Sequence, residues 1–456
     1  MDFFNVSIPV KNKPELDEGF IPLSLFFQAH QRLAKKPFAV AVERTNGLQT
    51  VYETNIIGEK KYLEADEYYI DRLVKFLLWS RGGFRVTLCG DRALGEVVAK
   101  AYTKSGARAF DKEFMERVYG REFEVVLRDY DEKPVENEIS SAIGRHMDGC
   151  RIGFDAGGSD RKVSAVIDGE AVYSEEVVWL PKEKSDPSYH YEGIVEALKT
   201  AASKMPRVDA IGVSSAGVYV DNKCKVASLF LKVSPEDFKA HVEDIYIRAA
   251  KEIGNIPVAV SNDGDVTALA GAMSMNEVAV LGIAMGTSEA AGYVDQKGNI
   301  TGWLNELAFA PVDAQASAMR DEWSGDIGCG VKYFSQDGVI KLAPRAGIAL
   351  EGQSPAQKLK EVQALMQNGD ERAAKIYRSI GVYLGHALAL YAMFYPIHHV
   401  LLLGRVTSGD GGDLLLAQAL RVLQDEYPAL SFRVGTPNEK ARRVGQSVAA
   451  ASLPEL

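Results

Sequence analysis

The chain has 456 residues, 46% of them hydrophobic and 25% charged, with a formal net charge of -10. That length exceeds what a single core serves and implies two or three domains. The acidic balance argues against a protein that coats nucleic acid, and no nucleic-acid partner is expected. Four scattered cysteines (Cys89, Cys150, Cys224 and Cys329), with no CxxC pair, suggest neither a disulfide framework nor a zinc knuckle. The first residues lack a basic n-region and a long apolar h-region, and no apolar run reaches about 18 residues. A cytoplasmic protein with no membrane partner is expected.

Residues 1–148 read as an α/β region of unknown role. The runs 38–42 and 48–54 flank Asn46-Gly47, a hairpin signal. An amphipathic helix is predicted over 66–80, with Tyr69, Leu73, Phe76 and Leu77 on one side. A strand over 84–89, helices over 93–104 and 111–119 and a strand over 122–127 follow. The turn after Cys89 lacks GxGxxG, so it makes a poor nucleotide loop. The charged stretch 129–137, with Pro134, is the linker candidate. A separate α/β unit ending near Asp148 is expected, which could instead pad its neighbours or form a dimer interface. Nothing here has the three short helices and hairpin of a winged helix-turn-helix.

From Arg151 onward the chain alternates regularly. Ile152 and Phe154 lead into Asp155, then Gly157-Gly158-Ser159, then a second apolar run over 163–167. Two strands joined by a glycine turn is the plain reading. Glycines can take positive φ and lack a Cβ, so their N–H groups can crowd an anion, while a carboxylate at a strand end can hold a hydrated Mg²⁺. An ordinary hairpin turn would look the same. A third strand is predicted over 170–178, a helix over 189–204 and a strand over 210–214. A long helix over 235–253 follows Ser234, then a strand over 257–260 and, after Asn262-Asp263, a helix over 266–274. Strands over 277–285 and 290–294 then flank Gly286-Thr287-Ser288. A helical stretch over 357–395, a strand over 399–403, a glycine-rich turn, a helix, a strand over 430–434 and a helix over 439–450 complete the chain. Two glycine turns in successive hairpins imply one duplicated fold, each half with a mixed five-stranded sheet.

From Arg151 to the end the sequence resembles the actin-like ATPase superfamily and, within it, the ROK (repressor, open reading frame, kinase) sugar kinases. Asp155-Ala156-Gly157-Gly158-Ser159 fits that family's first phosphate loop, with serine for threonine. Asn262-Asp263, followed by Ala268-Leu269-Ala270, fits its Asn-Asp segment. Gly286-Thr287-Ser288 stands at the second phosphate loop. Leu401-Leu402-Leu403-Gly404, with Ser408, Gly409 and 413–416, fits the adenosine side. The resemblance implies duplicated ribonuclease H-like lobes, 149–275 and 276–456, around a nucleotide cleft, the last helix able to return to the first lobe. It implies ATP and Mg²⁺ as cofactors, a sugar as substrate and a homodimer.

Within that resemblance the residues take roles. Asp263, at a helix start beside the cleft, would be the general base, ionised at neutral pH; as an isolated residue it reads first as a helix cap. Asn262 and Glu306 would hold the sugar, and Asp155 the metal. Gly157, Gly158, Ser159, Lys162, Gly286, Thr287, Ser288 and Gly404 would hold the nucleotide, though Lys162 also reads as a solvated strand charge. The departures are specific. Asn305-Glu306-Leu307-Ala308-Phe309 has Phe309 where the family has a sugar-binding histidine, and Val331 replaces a second glutamate. The family's zinc loop is reduced to Gly328-Cys329, and one thiolate cannot make a tetrahedral site, so no zinc is expected. Glu289 would oppose a triphosphate unless it points away or binds the metal. Gly404-Arg405 replaces a Gly-Gly pair. An ATP-dependent sugar kinase with an altered pocket is the main expectation. A non-catalytic sugar- or nucleotide-sensing relative acting through partners is the alternative.

Overall fold

The computed structural model describes residues 1–138, 143–436 and 439–456, with the backbone alone over 439–444. Three sheets carry the fold. In the first, strands Val258–Asn262, Ala210–Ser215 and Cys150–Ala156 run parallel, and Asp160–Ile167 and Glu170–Val178 continue antiparallel. Every residue of Cys150–Ala156 is buried, as a central strand covered on both faces must be. One cover is the last helix, Glu439–Ala451, which lies on the sheet backbone. Side chains at Gly153 and Gly212 would place Cβ atoms 1.7 Å from Ser447 O and 1.6 Å from Ala450 O, so that approach needs glycine.

The second lobe holds the order Glu289–Val294, Val280–Met285, His399–Leu403, Arg433–Gly435. It has four strands among the described residues where five were expected. After Val294 a single bridge to Ile300 replaces a third hairpin strand, and the chain leaves the sheet for the loops that follow. Two helices also differ from expectation. The stretch 235–253 divides into Pro235–Asp237, a π-helical turn Phe238–Val242 and Ile245–Lys251, because the wide turn disturbs the i→i−4 ladder. The stretch 357–395 divides into Pro355–Gln367 and Glu371–Tyr391 at Gly369, whose φ of 71° ends the first helix.

The N-terminal sheet has the order Gln49–Ile56, Lys36–Glu43, Arg85–Cys89, Glu124–Arg128. Asn46 and Gly47 both take positive φ in its hairpin, as the sequence implied. The 19-residue helix Leu63–Arg81 packs between this sheet and the second lobe. Phe38, Val40, Leu73 and Trp79 belong to one continuous core with Ile283, Leu307, Tyr391 and Leu402. The first lobe keeps its own core around Ile152, Phe154, Val213 and Tyr246.

Candidate functional site

Three parallel strands end at one edge of the first sheet, the edge at which α/β sheets present ligands. Ser214 stands in register with Asp155 on one side and Ser261 on the other, and Ser215 with Asn262. Ser214 Oγ donates to Asp155 Oδ1 at 2.8 Å, and Gln446 Nε2, from the last helix, donates to Ser214 Oγ at 3.1 Å. Asn262 caps the helix Asp263–Met275: its Oδ1 accepts from Gly264 N and its Nδ2 donates to Gly217 O, both at 2.7 Å. Burial pushes the Asp155 carboxyl up to about 6; the Ser214 bond pulls it down and the Asp263 charge adds to the rise. Burial raises Asp263 too, against the Gly264 N–H and the charge of Lys182. The helix dipole favours the Asp263 anion, but desolvation outweighs it.

The turn after Asp155 takes no positive φ at Gly157 or Gly158. Glycine is needed there for space: a Cβ on Gly157 would lie 2.7 Å from Asp160 O. Trp179 ties the turn down, its indole N–H donating to Gly157 O at 2.8 Å and its backbone N–H to Ser159 O at 3.2 Å. Ser159 Oγ donates to Asp160 Oδ2 at 3.0 Å. Lys162 spends its charge along the sheet, 3.3 Å from Asp160 and 4.0 Å from Glu176.

In the second turn Gly286 N donates to Ser288 O at 3.0 Å. Gln336, which no sequence motif marked, fastens this turn: its N–H donates to Gly286 O at 2.9 Å and its Nε2 to Thr287 Oγ1 at 3.1 Å. Thr287 and Ser288 are exposed while Glu289 turns inward, where Tyr391 OH donates to Oε1 at 3.4 Å. Burial pushes the Glu289 carboxyl up to about 8, so at neutral pH it is a buried acid. Its charge is thereby removed from the turn. Gly404, with φ of 96°, abuts Met285 O. Beyond it a cavity of 360 Å³ is lined by Arg405, Gly409, Gln363 and Tyr377. The buried Tyr377 hydroxyl in its wall has no partner among the described residues.

Glu306 belongs to a segment held by the N-terminal region. The N–H groups of Leu304, Asn305 and Glu306 donate to Arg81, Ser80 and Trp79 O at 3.2, 3.0 and 2.9 Å. They satisfy carbonyls that a helix end would otherwise leave without partners. Asn305 takes φ of 52°; its Nδ2 donates to Asp265 Oδ1 at 2.8 Å, and Tyr395 OH donates to its Oδ1 at 3.0 Å. Burial pushes Asp265 and Glu306 each up to about 7, and the nearby Asp263 charge adds to both. Asp155, Asp263, Glu306 and Glu289 thus form a file of electrostatically coupled carboxyls. Carboxyls raised in this way suit proton acceptance.

Residues 151–434 match the ROK family. The chain belongs to the ROK family. A sequence comparison with curated proteins gives no match. Among solved structures, a ROK hexokinase from Thermus thermophilus is 18% identical with a TM-score of 0.51, covering 66% of this chain and 97% of its own. A ROK family protein from Streptococcus pneumoniae TIGR4, solved in complex with sucrose, is 12% identical with a TM-score of 0.50 and the same coverage. A ROK family transcriptional regulator, a homologue of the E. coli MLC protein, is 18% identical with a TM-score of 0.49, covering 67% of this chain and 78% of its own. The family match and the first two likenesses show the duplicated actin-like ATPase fold, and the first 150 residues lie outside the family match.

Two departures of this ROK protein from its family's pattern, Phe309 and the loop around Cys329, lie where the N-terminal region touches it. Phe309 joins an aromatic cluster, its ring centroid 4.3 Å from Trp79 and 5.7 Å from Phe110. The loop around Cys329 is fastened by ions: Asp326 lies 2.8 Å from Arg72, 3.2 Å from Lys75 and 2.7 Å from Arg108. These three cations hold the Asp326 carboxyl far below the usual carboxylate range despite its burial. Cys329 is fully buried, and burial pushes its thiol up to about 11. Among the described residues no group of three or more His, Cys, Asp and Glu could hold a metal ion, and no helix is long and apolar enough to cross a membrane.

Proposed function

We propose that this ROK protein transfers the γ-phosphoryl group of ATP to a hydroxyl of a hexose or related sugar. One observation carries this reading: Asp155 and Asp263 share the carboxyl edge of one sheet beside a tethered glycine turn. Phosphoryl transfer asks chiefly for positioning and charge neutralisation, with a carboxylate near the attacking hydroxyl. Asp263 meets the last need, since burial raises its proton affinity and makes it a better acceptor once ionised. Ser214 fixes one oxygen of Asp155 and leaves the other for Mg²⁺, which when bound would offset phosphate charge. Asn262 and Glu306 take the sugar side, and Gly157, Gly158, Ser159, Gly286, Thr287 and Ser288 the phosphate side. Gly404 opens onto the Arg405–Tyr377 cavity, which suits the adenosine.

The test is a thermal-shift screen of hexoses and amino sugars with Mg·ATP, followed by a phosphoryl-transfer assay on each stabilising sugar. Stabilisation by Mg·ATP and turnover of at least one sugar are expected. The rate should fall as pH drops through about 6, where Asp155 gains the proton that competes with Mg²⁺. A rate that is flat from pH 8 to 5 would remove Asp155 from the metal site. A second reading, a sensing relative without catalysis, is favoured by Phe309, whose ring is committed to the Trp79 cluster and offers a sugar no hydrogen bond. Sugar binding without turnover would select it.

A further inference from the structure

The loop between the strand Glu170–Val178 and the helix Pro187–Ala202 forms a strap across the first glycine turn. Trp179 fastens one end to Gly157 and Ser159. The other end is held by the helix: Pro181 is buried with its carbonyl 3.0 Å from His190 Nε2, and Leu180 N donates to Tyr189 OH at 3.2 Å. So held, the strap carries Lys182 over Gly158. Its Cε and Nζ lie 3.0 and 3.2 Å from the place a Cβ on Gly158 would take. Any side chain at 158 would push the ammonium away.

Lys182 is exposed, and among the described residues it makes no ion pair and no hydrogen bond. Lys162, the basic residue that the sequence pointed to, is by contrast engaged with Asp160 and Glu176. The Lys182 charge also reaches Asp263, whose carboxyl it draws down against burial. A compact cation with three donors and no carboxylate partner, carried over a glycine turn on the side of Asp263, is suited to a phosphate. We propose that Lys182 is a catalytic residue that holds the terminal phosphate of ATP and offsets its charge during transfer. In that step the sugar oxygen bonds to the γ-phosphorus, and the bond to the β-phosphate oxygen breaks with its electron pair leaving on ADP. The hydroxyl proton goes to Asp263, and Lys182 exchanges no atoms.

This inference rests on the kinase reading, and nucleotide binding separates the two. Equilibrium affinities for Mg·ATP and Mg·ADP, kcat and KM are measured for wild type, Lys182→Gln and Lys182→Arg. Lys184→Gln serves as the control, because that neighbouring cation lies over the Tyr189 ring, 5.2 Å from its centroid. In Lys182→Gln the ATP affinity should fall about tenfold while ADP affinity holds. Its kcat should fall on the order of 10²-fold, with the sugar KM little changed. Lys182→Arg should recover most of both losses, Lys184→Gln should match wild type, and the melting temperature should not move. Equal effects on ATP and ADP, or no effect on ATP, would overturn the role of Lys182. If wild type binds ATP but phosphorylates no sugar, the kinase reading and the catalytic role of Lys182 both fail, and the ATP-against-ADP comparison decides only whether Lys182 holds the terminal phosphate. Wild type that binds neither nucleotide overturns both.

Discussion

The carboxyl edge of the first sheet and the segment 303–330 of the second lobe both present buried carboxyls, yet they are built by opposite means. At the sheet edge, Asp155, Ser214 and Asn262 are placed by backbone register alone: three parallel strands end together, and the residues that follow fall at one mouth. In the segment 303–330, Glu306, Phe309 and Asp326 are placed by side chains and carbonyls of a helix more than 200 residues earlier in sequence. Register is carried by backbone hydrogen bonds and survives much sequence change. A position set by a distant helix depends on both partners, so family roles can be lost there without disturbing the fold.

The sheet edge is tested by the largest effect. Asp263→Asn keeps the size and most of the capping ability, so stability should change by about 1 kcal/mol or less. Turnover should drop by roughly 10²–10⁴-fold with nucleotide binding intact, as measured by steady-state kinetics and ATP titration. Equal rates in the two proteins would reduce Asp263 to a helix cap.

The second region is tested next. Asp326→Ala leaves Lys75, whose side chain is fully buried, together with Arg72 and Arg108, short of a counter-charge. A loss of about 3–5 kcal/mol in urea unfolding is expected. A loss under about 1 kcal/mol would mean that the segment is held by something other than the N-terminal helix.

The smallest effect sharpens the boundary between the regions. Glu289 has its folded proton affinity raised from 4.5 to about 8, so its favourable contribution is complete below about pH 4.5 and is lost as pH rises through 8. Glu289→Gln removes that loss. The variant should equal wild type near pH 4.5 and exceed its stability at pH 7 by about 3 kcal/mol. Parallel stability curves across that range would mean that Glu289 is charged in the fold.

The same contrast explains what the sequence disclosed. The glycine turns, the Asn262-Asp263 helix start and the Asn46-Gly47 hairpin were legible because each is a local pattern with a local cause. Gln336, Gln446 and Lys182 were not, because each reaches the site from an unrelated element: a short helix, the last helix and a strap. Glu289 was legible as an anomaly, but only packing against Tyr391 reveals that it turns inward. That the second lobe has four strands rather than five among the described residues lay beyond reach for a similar cause. Residues 304–306 are drawn off toward the N-terminal helix by hydrogen bonds that no local periodicity encodes.

The shared core has a consequence for the order of synthesis. Residues 6–123 pack against residues 281–427, and the first lobe, with a core of its own, lies between them in the chain. On the ribosome the N-terminal sheet and its helix emerge first and must keep their apolar face uncovered until most of the chain has been made. Contacts so distant in sequence form late and slowly, and such waiting surfaces invite misassembly. Two tryptophans can time the two events, since Trp179 sits in the first-lobe core and Trp79 in the shared one. In refolding from urea, a variant retaining only Trp179 should regain its native fluorescence before one retaining only Trp79.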